Sequence, residues 1–362
     1  MKATVVVGAR PNFMKAAPLI REFRRRRLES LLVHTGQHYD ENMSRVFFRD
    51  LELPEPDIHL GVGSGSHAEQ TGRIMIAFEE IVARERPDLI VVVGDVNSTL
   101  ACALVGAKAL VPVAHVEAGL RSFDLSMPEE INRMVTDVLS SLCFTTSPEA
   151  EANLLREGVK PERIFFVGNI MIDSLLSYVE KAERSRVLEE IGVAPGGYVL
   201  VTLHRPSNVD EGGIFAGIMD ALAGLARSLP VIFPVHPRTR KTIESARGAV
   251  AIPEGLKLIE PLGYLDFVKA MRHARIVVTD SGGIQEETTV LGVPCITVRE
   301  NTERPITVEI GTNVLVGSDP GRIRDEAARI LAGPARAHRV PPLWDGKTAG
   351  RIADVLEQRF PA

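Results

Sequence analysis

Aromatic residues are scarce in this 362-residue chain: Phe, Tyr and Trp make up 5 % of it, and Trp344 is the single tryptophan. That scarcity argues against a large apolar or aromatic acceptor groove. Cysteine is scarcer still. Cys102, Cys143 and Cys295 lie far apart in apolar segments with no Cys-x-x-Cys pair, which excludes a disulfide framework and a thiol metal or redox site. Positive charge is not in excess, since 42 Lys and Arg face 47 Asp and Glu for a net charge of −5. Neither a nucleic-acid surface nor an anionic membrane surface is expected from that balance. The one basic run, Arg24 to Arg27, closes an amphipathic helix, where cations suit the negative end of the dipole. No apolar run reaches the ~18–20 residues that cross a bilayer. The first residues lack the apolar core and cleavage site of a signal peptide, so the protein is read as cytoplasmic.

Several motifs are missing as well. There is no Gly-x-x-x-x-Gly-Lys-Ser/Thr, which excludes P-loop chemistry. Gly61, Gly63 and Gly65 miss the dinucleotide spacing because Ser66 takes the third glycine position. No tyrosine has a lysine four residues later, as a nicotinamide-dependent epimerase would require. His34 and His38 are four apart, but Thr35-Gly36 between them reads as a loop rather than a helical zinc face. No metal is expected.

What is present is an alternation of short β-branched runs with helix-period segments. The strand candidates are Thr4–Gly8, Leu31–His34, Leu89–Gly94, Val113–Glu117, Leu142–Thr145, Ile164–Val167, Tyr198–Thr202, Val231–Val235, Leu256–Ile259, Ile276–Thr279 and Cys295–Val298. Many are continuous Val, Ile and Leu, as in parallel strands covered on both faces. With roughly 100–150 residues per domain, the length points to two domains. The fold class is therefore α/β, with two similar Rossmann-like, doubly wound domains facing a central cleft. We place an N-terminal domain at 1–170, a C-terminal domain at 171–345, and a last helix at 346–362 that folds back on the first. Sites in such sheets lie beyond the carboxyl ends of the strands.

The unusual clusters sit at those ends. Gly8-Ala9-Arg10-Pro11 opens a helix whose free N–H groups, with Arg10 and Lys15, suit an anion. Gly94-Asp95 ends an apolar strand, where Asp95 is either an N-cap or a functional acid. His115 and Glu117 close the next strand, and period-2 alternation places them on one face. Glu129 and Glu130 open a helix, as dipole complementation alone would also allow. In the second half, His204-Arg205 and His236-Pro237-Arg238 follow strands. Ser281-Gly282-Gly283 starts a helix with unobstructed N–H groups, a seat for a diphosphate. Arg299 and Arg304 follow the next strand.

Together these turns resemble the non-hydrolysing UDP-N-acetylglucosamine 2-epimerases, which have the GT-B fold. The likeness runs through Gly8-x-Arg10-Pro11, Gln37-His38, Gly94-Asp95, His115-Val116-Glu117-Ala118-Gly119-Leu120-Arg121 and Pro128-Glu129-Glu130-x-Asn132-Arg133. It continues through His204-Arg205, Pro234-Val235-His236, Asp280 to Glu287, and Thr302-Glu303-Arg304-Pro305. The resemblance implies interconversion of UDP-GlcNAc and UDP-ManNAc with no cofactor, by elimination of UDP and its re-addition. It implies catalytic roles for Asp95, Glu117, Glu129 and His204, with the division among the three acids open. It implies UDP-sugar binding by Arg10, Lys15, Phe267, Ser281, Gly282, Gly283, Glu287 and Arg304, an activator site at Gln37 and Arg73, and a homodimer. Asn12, Phe13 and Pro206 depart from the family pattern and are expected at the sugar, where UDP-2,3-diacetamido-glucuronate is an alternative substrate. A GT-B glycosyltransferase using a UDP-sugar is the other alternative.

Overall fold

The computed structural model describes residues 1–37, 55–235, 240, 253–333 and 337–361. The expectations that fall on His38, His236 and Arg238 lie outside the described residues, as does the side chain of Arg10. The chain divides into two compact units, one of Met1–Ser177 with Pro342–Ala362 and the other of Tyr178–Pro341.

The first unit begins with β1 (Lys2–Val7), α1 (Arg10–Arg26), β2 (Glu29–His34), β3 (Ile58–His59), α2 (His67–Glu85) and β4 (Leu89–Val93). It continues through α3 (Asn97–Lys108), β5 (Val113–Ala118), α4 (Pro128–Leu139), β6 (Leu142–Thr145), α5 (Pro148–Arg156) and β7 (Ile164–Phe166). Helix α6 (Ile170–Ala182) follows, and the division between units falls within it rather than at residue 170. The strand order is β3-β2-β1-β4-β5-β6-β7, and every pairing is parallel. A strand between two parallel neighbours, covered by helices on both faces, has no solvated side. All five residues of β4 are accordingly buried and apolar. Val6, Ile90 and Val92 pack with Ile74 and Phe78 of α2 in one core cluster.

The second unit contains α7 (Val187–Ile191), β8 (Val199–Thr202), α8 (Pro206–Val209), α9 (Gly212–Leu225), β9 (Val231–Pro234) and β10 (Leu256–Ile259). Then come α10 (Tyr264–Arg272), β11 (Ile276–Thr279), α11 (Gly282–Leu291), β12 (Cys295–Thr297), α12 (Ile306–Glu309), β13 (Asn313–Leu315) and α13 (Pro320–Ala332). Its sheet runs β10-β9-β8-β11-β12-β13, all parallel, with the same reversal beside its first strand as in unit 1. In each unit the chain winds outward one way and then the other, so a crevice opens beside the first strand at the carboxyl end. The short strands β3 and β13 were not expected from the sequence.

The last helix, α14 (Thr348–Arg359), packs on α1 in unit 1. Arg26 reaches Asp354 and Glu357, each at 2.6 Å. Both carboxylates are exposed, so these pairs contribute little. The stronger tie is buried. Asp173 of α6 accepts the backbone N–H groups of Thr348 at 3.0 Å and Ala349 at 2.8 Å, satisfying the first turn of α14. Burial pushes the Asp173 carboxyl above the usual carboxylate range although these two donors pull it down. Asp173→Ala should destabilise the attachment of α14 by about 0.5–2 kcal/mol. The check is limited proteolysis, in which the C-terminal helix should be released faster; unchanged protection would contradict the assignment.

Candidate functional site

Lys15 and Asn12 of α1 and Glu117 of β5 converge, just beyond β4, on Gly94. Its φ of 67° is the left-handed conformation that glycine adopts freely. A Cβ there would lie 2.9 Å from Nζ of Lys15 and 3.7 Å from Oε2 of Glu117. The backbone can approach that pair only because the side chain is absent. Lys15 and Glu117 form an ion pair, both nearly buried. Glu117 itself has φ 78°. It sits where the register between β5 and β6 slips, Val116 facing Phe144 and Ala118 facing Thr145. The expected period-2 alternation therefore ends at Val116, and the bulge re-aims the glutamate toward α1. A non-glycine residue held at positive φ stores strain on the order of 1–3 kcal/mol and persists only where its surroundings impose it.

Asp95 is not the cap of α3. Val96 occupies that position, and the Asp95 carboxylate instead pairs with Arg133 of α4. Arg133 also holds Glu130 at 2.5 Å, and its side chain is 2 % exposed. Glu130 turns inward and accepts the N–H groups of Ser122 and Phe123, which makes it a structural anchor. Its neighbour Glu129 is exposed. Glu129, Asp95 and Gln37 line one cavity of about 230 Å³ with His67, Gln70, Asn97 and Asn132. The walls are tied together: Asn132 donates to the Asp95 carbonyl at 2.9 Å, and Asn97 to Gln70 at 2.8 Å. Gln37 accepts the N–H of Ser98 at 3.0 Å and its hydroxyl at 2.7 Å. Arg73 is exposed on α2 and does not line this cavity.

In the second unit, α11 starts at Gly282 with Ser281 as N-cap, and no side chain caps its first N–H groups. The Arg304 guanidinium lies against that end, since a Cβ on Gly282 would meet it at 2.5 Å. Nε of Arg304 donates to Glu286 at 2.7 Å and Nη1 to Glu303 at 2.5 Å, so a nearly buried cation is fixed beside a helix N-terminus. That combination suits an anion with several oxygens. His204 follows β8 with its side chain 61 % exposed, and its Nδ1 pairs with buried Asp280 at 2.8 Å. Asp280 also accepts the N–H groups of His204 and Arg205 and the amide of Asn208. Burial opposes the charge on Asp280, but His204, Arg205 and Asn208 hold its carboxyl below the usual range. The opposite edge of the imidazole is thereby aimed outward. Half-buried Phe267 lies on α10, which packs beside α11.

Among the described residues, no group of three or more His, Cys, Asp or Glu is disposed to hold a metal ion, and no helix is long and apolar enough to cross a membrane. The profile of the family described as UDP-N-acetylglucosamine 2-epimerase matches residues 21–357. The chain belongs to that family. It is 42 % identical to the UDP-N-acetylglucosamine 2-epimerase of Methanocaldococcus jannaschii, over 98 % of this chain and 99 % of that one. It is 40 % identical to the UDP-2,3-diacetamido-2,3-dideoxy-D-glucuronate 2-epimerase of Pseudomonas aeruginosa, over the same shares. The crystal structure of the Methanocaldococcus jannaschii enzyme in complex with UDP-GlcNAc and UDP superposes with a TM-score of 0.92, covering 99 % of this chain and all of that one. The match bears out the two-domain, GT-B-like α/β fold.

The epimerase-family reading singled out Asn12 and Phe13 as sugar neighbours, and the structure corrects this. Asn12 is 2 % exposed and its amide is spent on the backbone, accepting from Gly8 and Ala9 and donating to Val93. Phe13 is 1 % exposed and stacks on His34. Pro206 is exposed at the start of α8. Sequence reasoning gave no role to Asp280 and Arg133, although both stand inside quoted motifs. Asp280 carried a signal, a charge between the apolar Ile276–Val278 run and Ser281-Gly282-Gly283, whereas Arg133 among Glu129, Glu130 and Asn132 carried none.

Glu287 on α11 gives the site a pH-dependent feature. Burial, with Glu286 beside it, pushes its carboxyl up to about 8, and the Tyr264 hydroxyl donates to it at 3.4 Å. It is a neutral acid at neutral pH. The unfolded chain releases this proton near pH 4.5, so the folded state holds it longer and stability falls as pH rises from about 4.5 to about 8. In Glu287→Gln that slope should vanish. The thermal midpoint of the variant relative to the native protein should climb across this interval and level off above it; a constant difference would contradict the assignment.

Proposed function

We propose that this protein is a non-hydrolysing UDP-N-acetylglucosamine 2-epimerase, an isomerase that interconverts UDP-GlcNAc and UDP-ManNAc. The observation that carries the reading is the pairing, in one chain of this family, of two chemically opposite sites. One is a glycine-started helix end beside a fixed arginine. The other is a set of three carboxylates of the first unit, Glu117 against Gly94 and Asp95 and Glu129 on the wall of one cavity. The reaction needs both. The C2 proton of the hexose is not adjacent to a carbonyl and is too weakly acidic for direct removal. Breaking the C1–O bond first sends its electron pair to the diphosphate and leaves an oxocarbenium-like ring, whose C2 proton is far more acidic.

The N–H groups of Gly282 and Gly283 with Arg304 take the charge of the departing diphosphate, and the outward edge of His204 donates to it. Arg10 and Lys15 add positive charge. Glu287, a neutral acid, offers donor and acceptor to ribose hydroxyls, and Phe267 offers a ring to the base. A carboxylate among Asp95, Glu117 and Glu129 removes the C2 proton, giving UDP and 2-acetamidoglucal; protonation of C2 on the opposite face and return of UDP to C1 complete the inversion. Gln37 and Arg73 are assigned to an activator site, with Gln37 on the cavity that Asp95 also lines. No cofactor takes part. The three buried free thiols suit a reducing compartment, and we assign the enzyme to the cytoplasm.

A second reading has a specific basis: the Pseudomonas aeruginosa relative acts, by its name, on a diacetamido-glucuronate and is nearly as similar as the archaeal one. The deciding experiment is incubation with UDP-GlcNAc in deuterium oxide, followed by proton NMR. Deuterium at C2 together with UDP-ManNAc is expected, and Glu117→Gln should bind UDP while turning over about 10²–10⁴ times more slowly. An inert UDP-GlcNAc with an active diacetamido-uronate would establish the second reading. A sugar transferred with its C2 hydrogen intact would refute both.

We also propose a homodimer. Ile131, Val135 and Val138 form one apolar face of α4, exposed by 48, 36 and 60 %. Phe123, Leu125 and Ile76 of the same unit are exposed by 70, 65 and 68 %. An apolar face of this extent marks a protein contact, and a second copy is the simplest self-complementary partner. Light scattering should give twice the chain mass, and Val135→Glu with Val138→Glu should halve it; a monomeric native protein would contradict the assignment.

A further inference from the structure

His115 lies wholly buried on β5, two residues before Glu117. Its Nδ1 is 2.6 Å from Oδ1 of Asp137 on α4, and its Nε2 is 2.8 Å from the carbonyl oxygen of Gly94. A carbonyl only accepts. A neutral imidazole has one N–H, so one of these two contacts would set lone pair against lone pair unless Asp137 carried the proton. The surroundings of Asp137 oppose that. Its Oδ2 receives Nη2 of Arg121 at 2.7 Å and the N–H of Gly119 at 3.1 Å, which are donors to a carboxylate.

The wider surroundings agree. Arg121 also binds Glu157 at 2.5 Å, so His115, Asp137, Arg121 and Glu157 form a chain of alternating charge. With His115 protonated, two cations meet two anions; with it neutral, Arg121 alone faces both carboxylates, of which Asp137 is wholly buried and Glu157 reaches solvent. From β6, the register partner of His115 is Cys143, whose thiol burial pushes up to about 12 and which is therefore neutral. Arg163 donates to the backbone carbonyl of Asp137 at 3.2 Å. From β4, the register partner is apolar Val92.

We propose that His115 is a buried imidazolium and a positioning residue, whose two N–H groups lock the Gly94–Asp95 peptide to the strand that carries Glu117. The Gly94 carbonyl belongs to the peptide unit that leads into Asp95. Gly94 itself lies against the Lys15–Glu117 pair. One ring thus fixes the spacing of three groups assigned to the chemistry without touching the substrate. The proposal's catalytic consequence rests on the epimerase reading; the protonation state does not.

The test separates the two. In protein labelled with ¹⁵N in its histidine rings, one imidazole should carry slowly exchanging protons on both nitrogens at neutral pH without substrate, and Asp137→Asn should abolish that signature. In turnover assays, Asp137→Asn and His115→Gln should lower kcat by up to about a hundred-fold, as small misplacements of reacting groups do, with KM for the UDP-sugar within about two-fold. The absence of any doubly protonated ring in the native protein would overturn the proposal whatever the activity. A native-like kcat in Asp137→Asn, or a rise in KM without a fall in kcat, would overturn the positioning role.

Discussion

A parallel sheet covered on both faces leaves charged side chains one economical location, beyond the carboxyl ends of its strands. Even there a charge must be compensated, because the helices that follow bury the same turns. The structure answers with fixed counter-charges: Lys15 for Glu117, Arg133 for Asp95 and Glu130, Arg121 for Asp137, and Glu286 and Glu303 for Arg304. Each pair turns a costly buried ion into a rigid one. The placement of Lys15, Asp95, Glu117 and Arg304 follows from this constraint.

Rigidity is also imposed by the backbone. Glu117 and Gly94 both take positive φ, one a glutamate at a bulge and the other a glycine that only a missing side chain permits. Glu117 and Asp95 of the first unit are each held by a fixed cation. The second unit does the equivalent for an anion, with bare helix N–H groups, an arginine locked by two glutamates, and a histidine clamped by Asp280. A reaction that separates a diphosphate from a cationic sugar ring is stabilised by pre-placed dipoles and charges of both signs.

Much of this was legible in the sequence. Runs such as Leu89–Val93 and Ile276–Val278 lack polar residues because both faces are covered, and their ends were marked by the polar, charged and glycine residues that followed. The strands β3 and β13 were not legible, being two and three residues long and too short to show a period. Nor was the destination of Asn12 and Phe13, which depends on whether a side chain turns into its own loop or away from it. The partners of the site residues were hidden for a related reason: Arg133 and Asp280 stand 38 and 76 residues from the groups they hold, and only the winding of the sheets brings them together.

We infer that charges of both signs are pre-placed for one bond cleavage, the start of α11 with Arg304 for a diphosphate and Asp95, Glu117 and Glu129 for the sugar. The most direct measurement is a crystal structure of this protein with its UDP-sugar bound. The account predicts diphosphate oxygens within hydrogen-bond distance of the N–H groups of Gly282 and Gly283 and of Arg304, and a carboxylate of Asp95, Glu117 or Glu129 at C2. A hexose ring remote from all three acids would contradict it.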